Sequence, residues 1–134
     1  MSESPKIGET LCSPARTTKV QVVDDEVFIV KLVSKVLRDL GYEVMGSTSP
    51  LEVVTLLRAD PGAFDLLVTD LDMPELHGHE LIGQVRLLRP ALPIVVLTGN
   101  MPTESEQIAD RYLNKPCTNR SLSRALHEAL QLRS

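Results

Sequence analysis

The sequence predicts an α/β domain built on a parallel sheet with helices on both faces. Three observations predict it. Apolar runs such as Ile94-Val95-Val96-Leu97 are continuous rather than alternating, the pattern of strands buried on both faces. Stretches with apolar residues at helical spacing fall between them, and strand–helix alternation calls for right-handed parallel crossovers. The strand ends also collect acidic, hydroxyl and basic residues, at the sheet edge where such folds place their active groups.

The elements follow in order. Residues 1–18 carry Ser, Pro, Thr and Gly without apolar periodicity and read as a flexible leader, so the folded domain is placed at 19–132. Residues 19–23 form a short strand ended by Asp24-Asp25-Glu26. Ile29, Val33, Val36 and Leu40 then recur at helical spacing, and Gly41 supplies the stop. Residues 42–45 alternate as a second strand. Ser49-Pro50-Leu51-Glu52 reads as a capping box with proline at the first helical position, opening a helix that buries Val53, Val54 and Leu57. The third strand, 64–69, delivers Asp70, and Pro74 ends it. Gly78 leads into a helix whose inner face is Leu81, Ile82, Val85 and Leu88. Residues 93–98 are the fourth strand and 112–114 a brief fifth. Leu122, Leu126 and Ala129/Leu130 form the stripe of the last helix. Between strands four and five, Thr103 and Glu106 can cap a short helix, but only Ile108 and Ala109 could anchor it.

Composition bounds the function. At 134 residues, 43% apolar and 24% charged, the chain suits one domain with a real core. No apolar run approaches the roughly 20 residues that cross a bilayer, and the N-terminus has no secretory h-region. Cys12 and Cys117 give no disulfide framework. A cytoplasmic protein is expected. A net charge of -4, with no Trp and no basic run, argues against nucleic acid as the main partner.

The strand tips bring together Asp24 and Asp25, Asp70, Thr98 and Lys115. Three carboxylates at one edge repel unless a cation joins them, and all-oxygen ligands suit Mg²⁺. A hydroxyl and an ammonium on neighbouring tips can bind phosphoryl oxygens while an aspartate attacks phosphorus. Each residue also has a plainer role: Asp24 and Asp25 as caps of the first helix, Asp70 as a loop carboxylate, Thr98 as a strand end, Lys115 as a solvated charge. Their common register favours phosphoryl transfer onto Asp70. His77 and His79, flanking Gly78, are expected to be solvated, and His127 lies on a polar helix face.

Four motifs in order, Val22-Val23-Asp24-Asp25-Glu26, Asp70-x-x-Met73-Pro74-x-x-x-Gly78, Leu97-Thr98-Gly99 and Lys115-Pro116, resemble the response-regulator receiver domains of bacterial two-component signalling (the CheY-like superfamily). The resemblance runs from about residue 19 to 132. It implies a flavodoxin-like sheet in the order 2-1-3-4-5 and a phosphoacceptor at Asp70. Mg²⁺ would be held by Asp25, Asp70 and the Asp72 carbonyl, with Asp24 acting through water. Lys115 would pair with the phosphoryl group, its bond to Pro116 cis. Thr98 would move inward on phosphorylation and Tyr112 would turn in behind it. The partner would be a histidine kinase or histidine phosphotransfer protein, with a further protein reading the phosphate. Such a domain is a switch rather than an enzyme. A pseudo-receiver that only binds, and a small haloacid-dehalogenase-like phosphohydrolase, are the alternatives. Against the second, the acidic pair precedes Asp70 by 45 residues and there is no room for a cap domain.

The chain departs from the family pattern in one place. Thr98 and Lys115 are 17 positions apart, several fewer than receivers usually have, so the fourth helix is expected to be short, displaced or mobile. The side chain of Asp72 is expected beside the site, where it would influence the lifetime of the phosphate. Gly99 is expected to leave the phosphoryl approach open. With only Arg133-Ser134 after the last helix, the chain is expected to be either a complete single-domain regulator or a receiver cut from a longer protein such as a hybrid kinase.

Overall fold

A computed structural model describes residues 17–133, so nearly all of the expected leader lies outside the described residues. Its strands are Lys19–Val23 (β1), Glu43–Ser47 (β2), Leu66–Thr69 (β3), Ile94–Thr98 (β4) and Arg111–Asn114 (β5). Its α-helices are Val27–Asp39 (α1), Pro50–Ala59 (α2), Gly78–Leu88 (α3) and Asn119–Leu132 (α4). Every strand pair is parallel, and the sheet order is β2-β1-β3-β4-β5, the expected order.

Side-chain alternation along the strands builds two cores. Leu67, Ile94 and Val96 face α2 and α3 and meet Val53, Leu57, Leu81 and Val85. Val20, Val22, Val68 and Val95 face α1 and α4 and meet Val30, Leu37, Leu122 and Leu126. Each fully buried Leu, Ile or Val contributes about 1.5–3 kcal/mol, and the central strands β3 and β4 are buried at every position.

Local signals explain most boundaries. Gly41 adopts φ 102°, which turns the chain after α1 at no Cβ cost. The Ser49 side chain accepts from the Glu52 N–H at 3.2 Å, with Pro50 opening α2. Only half of the expected capping box forms, because the Glu52 carboxylate takes the Ser47 hydroxyl instead.

One helix differs from expectation in its buried face. The buried face of α1 is Val30, Ser34 and Leu37; Ile29, Val33 and Val36 are half-buried, and Leu40 is exposed. The cause lies across the sheet. Gly46 in β2 has no side chain, so α1 settles there: an added Cβ would stand 2.6 Å from Val30 Cγ1 and 3.4 Å from Ser34 Oγ. The expected fourth helix is short, as its missing length implied: a single 3₁₀ turn, Glu104–Glu106, with no buried residue. Its apolar content is too small for an α-helix, and Glu106 Oε1 reaches back to the Thr103 N–H and hydroxyl, both at 2.9 Å.

Candidate functional site

Asp70 follows β3 and is buried, with 7% of its surface exposed. Its N–H donates to the Val23 carbonyl, tying it to the tip of β1. Its Oδ1 accepts from the Leu71 N–H at 2.7 Å, which fixes the carboxylate rotamer and leaves Oδ2 facing Lys115 Nζ at 3.5 Å. Gly78, at the start of α3, closes over its backbone. The Gly78 N–H donates to the Leu71 carbonyl at 2.8 Å. A Cβ at Gly78 would overlap the Asp70 carbonyl oxygen and stand 2.7 Å from Leu71 Cα, so only glycine fits.

The other expected groups gather around it to different degrees. Asp24 is buried; Oδ1 accepts from the Glu26 N–H at 2.9 Å and Oδ2 from Lys115 Nζ at 2.6 Å. It therefore both shapes the entry to α1 and faces the pocket. Asp25 is exposed, and Asp24, Asp25 and Asp70 each offer a carboxylate oxygen within 4.8 Å of the others. The side chain of Asp72 is exposed and lies outside this cluster. Thr98 is fully buried, and its hydroxyl accepts from the Asn100 N–H at 3.1 Å, so its own loop engages it. The Thr98 carbonyl accepts from the Lys115 N–H at 2.8 Å, joining the tips of β4 and β5. The Lys115–Pro116 bond is cis. A methyl at Gly99 would meet nothing within 4 Å, so this side of the site is open.

The charges are coupled. Burial raises the Asp70 pKa; Lys115 opposes this and Asp24 adds to it. Burial would lower the Lys115 pKa, but its contacts with Asp24 and Asp70 outweigh that and raise it overall. Lys115 thus stays charged and holds two buried carboxylates that would otherwise repel. The donor set is all oxygen, two of its three members are buried, and their charge exceeds what one ammonium neutralises. These features fit a hard divalent cation such as Mg²⁺ better than a transition metal.

Tyr112 stands apart from this cluster, on the α2/α3 face of the sheet. Its hydroxyl accepts from the Ile108 and Ala109 N–H groups at 2.8 and 3.1 Å and lies 3.0 Å from His79 Nε2. His79 is therefore not simply solvated, contrary to expectation, because α3 carries it against β5. His77 Nδ1 accepts from the His79 N–H at 3.1 Å and caps α3, while His127 is exposed as expected.

Sequence reasoning also missed Asp110. Its carboxylate accepts from the Ile94 N–H at 2.8 Å, from Arg86 at 3.1 Å and from Arg133 at 2.9 Å, joining β4, α3 and the end of α4. None of these partners is local, so no spacing signal points to it.

Fold and site together define a single-sheet α/β module with carboxylates and a lysine at the edge where strand order reverses. The chain belongs to the response regulator receiver domain family, whose profile matches residues 20–127. It is 30% identical over 115 residues to the transcriptional regulatory protein GlrR of Escherichia coli, an alignment covering 82% of this chain and 26% of that protein. It is 32% identical over 111 residues to the response regulator SaeR of Staphylococcus aureus, covering 78% of this chain and 47% of that one. Among solved structures, the Vibrio cholerae chemotaxis protein CheY4 superposes with a TM-score of 0.78 at 30% identity, covering 86% of this chain and all of that one. The chain thus spans between a quarter and a half of the curated relatives it matches. It is a receiver domain of the two-component type. Among the described residues, no helix is long and apolar enough to cross a membrane.

Proposed function

We propose that this domain accepts a phosphoryl group on Asp70 from a partner phosphohistidine, in a Mg²⁺-dependent step, and that the gained charge switches binding to a downstream protein. One observation carries the reading: a buried aspartate, fixed through Oδ1, turns Oδ2 toward Lys115 within a cluster of three carboxylates. Asp70 Oδ2 attacks phosphorus as the P–N bond to the donor histidine breaks, and that bonding pair stays on the leaving imidazole. The product is an acyl phosphate. Bound between Asp24, Asp25, Asp70 and the Asp72 carbonyl, Mg²⁺ would supply positive charge for the phosphoryl oxygens. Lys115 stabilises the same oxygens, and Thr98 exchanges its bond with Asn100 for one to the phosphoryl group. Tyr112 responds from the neighbouring strand, where it pairs with Val96, two residues before Thr98.

The donor is a histidine kinase or histidine phosphotransfer protein. Beside Asp25, the first turns of α1 expose Val27, Phe28 and Leu32, with Phe28 72% exposed. A cleft of about 310 Å³ runs from there past Ile29 and Val33 to Lys115 and Pro116. An exposed apolar face continuous with the acceptor site suits a protein partner that must bring a phosphohistidine to Asp70. On this reading the domain is a cytoplasmic switch rather than an enzyme. Its charge favours protein over nucleic acid as a partner of these residues, and the name of GlrR leaves transcriptional control open to a longer protein.

Incubation with Mg²⁺ and acetyl phosphate tests this. Intact mass should rise by one phosphoryl group in the wild type and not in Asp70→Asn or in Mg²⁺-free buffer. Equal uptake by Asp70→Asn, or none by the wild type, overturns it.

A further inference from the structure

The contacts around Tyr112 specify where a proton must be. A phenolic oxygen has one proton to donate and two lone pairs to accept with. Both lone pairs are taken by backbone donors, Ile108 N–H at 2.8 Å and Ala109 N–H at 3.1 Å. The third neighbour, His79 Nε2 at 3.0 Å, is therefore the acceptor of the hydroxyl proton. That requires a neutral imidazole with its hydrogen on Nδ1. Protonation would point an Nε2–H at an oxygen with no lone pair left and break the contact.

The surrounding charges are compatible with a neutral ring. From its own capping turn, His77 faces it edge-on with ring centroids 5.4 Å apart. From the 3₁₀ turn, Glu106 faces it, but that carboxylate is already held by the Thr103 N–H and hydroxyl. Glu80 is adjacent in α3 and exposed. Further along the helix, Arg86 is bound to Asp110, which precedes β5. Burial lowers the His79 pKa, and His77 lowers it further against the opposing pull of Glu106.

We propose that His79 is a proton-sensitive latch that sets the position of Tyr112 and, through it, of the 3₁₀ segment. In a chain whose β4–β5 connector forms only a 3₁₀ turn, the hydroxyl joins three segments at one point: the start of α3, residues 108–109 and β5. Two backbone groups and one ring nitrogen hold it, and only the ring nitrogen changes its hydrogen-bonding role with pH. Releasing the latch frees Tyr112 to turn and the 108–109 amides to separate from it. The consequence for signalling rests on the receiver reading above, whereas the latch itself exists in the unphosphorylated protein.

The sign of the pH dependence follows. The folded-state pKa of His79 lies below its ordinary 6.5, so the latch contributes fully above 6.5 and is lost as pH falls through the lowered value.

Nuclear magnetic resonance of the unphosphorylated protein tests the proposal. Long-range ¹⁵N–¹H correlation at neutral pH should show His79 protonated on Nδ1. The Ile108 and Ala109 amide signals should shift in step with the His79 ring as pH falls, with a midpoint below 6.5. In His79→Gln, whose Oε1 can accept the same proton, both amides should keep their latched positions and stop titrating. In His79→Ala and Tyr112→Phe they should take unlatched positions at every pH. An Nε2–H tautomer, amides that titrate unchanged in His79→Gln, or amides unmoved in both His79→Ala and Tyr112→Phe would each overturn the latch. Because no phosphate is involved, failure here is distinct from failure of Asp70 to accept a phosphoryl group.

Discussion

Two loops frame the acidic pocket, and they are held by opposite means. The segment after Asp70 is pinned by backbone packing: the Gly78 N–H bonds the Leu71 carbonyl, and the bare Gly78 Cα lies against Asp70 and Leu71 with no room for a methyl group. The segment after Thr98 carries a 3₁₀ turn with no buried residue, stitched down by the side chains of Glu106 and Tyr112. Close packing has one arrangement and resists displacement, whereas exposed polar bonds exchange at low cost. On the proposed function, the first suits a carboxylate held in a fixed attack geometry, and the second a segment that responds to the added charge.

The largest effect should come from Gly78, with Gly99 as its control. Gly78→Ala forces α3 off the Asp70 backbone and should cost about 2–3 kcal/mol, measured by denaturant unfolding, with loss of phosphoryl uptake. Gly99→Ala enters open space and should leave the stability unchanged. Equal costs at the two positions would break the comparison. Next is Asp110→Asn, which weakens the ties to Arg86 and Arg133 but keeps one oxygen for the Ile94 N–H; about 2 kcal/mol should be lost. Smallest, because it perturbs nothing, is amide exchange in the native protein. Residues 102–110 should exchange roughly tenfold or more faster than the β3 and β4 amides, and protection equal to those strands would mean the connector is not the labile partner.

Much of this was legible beforehand, and the failures have specific causes. The order of strands and helices, the inner faces of α2 and α3 and the convergence of Asp24, Asp70 and Lys115 follow from local patterns that tertiary contacts reinforce. The face of α1 did not, because Val27, Phe28, Ile29, Val30, Leu32, Val33, Val36 and Leu37 supply more than one apolar stripe. The choice between them is made by Gly46, in a different element. The short connector was visible as a missing length and its Thr103–Glu106 cap as a local pattern, but the contacts that hold it to Tyr112 were not. His79 and Tyr112 are 33 residues apart, and Asp110 joins Arg86, Ile94 and Arg133 across three elements. Spacing can report a periodic face, but not a hydrogen bond closed by the fold.

The central claim is that Asp70 and the connector are coupled: charge added at the packed side of the pocket rearranges the polar side. Adding Mg²⁺ and beryllofluoride, a phosphoryl mimic, to the ¹⁵N-labelled protein tests it directly. The account predicts that the Leu71 and Thr98 amides shift as the site fills and that Ile108, Ala109 and Tyr112 shift in the same titration, with no response in Asp70→Asn. Saturation at Leu71 with the 108–112 signals unmoved would contradict it.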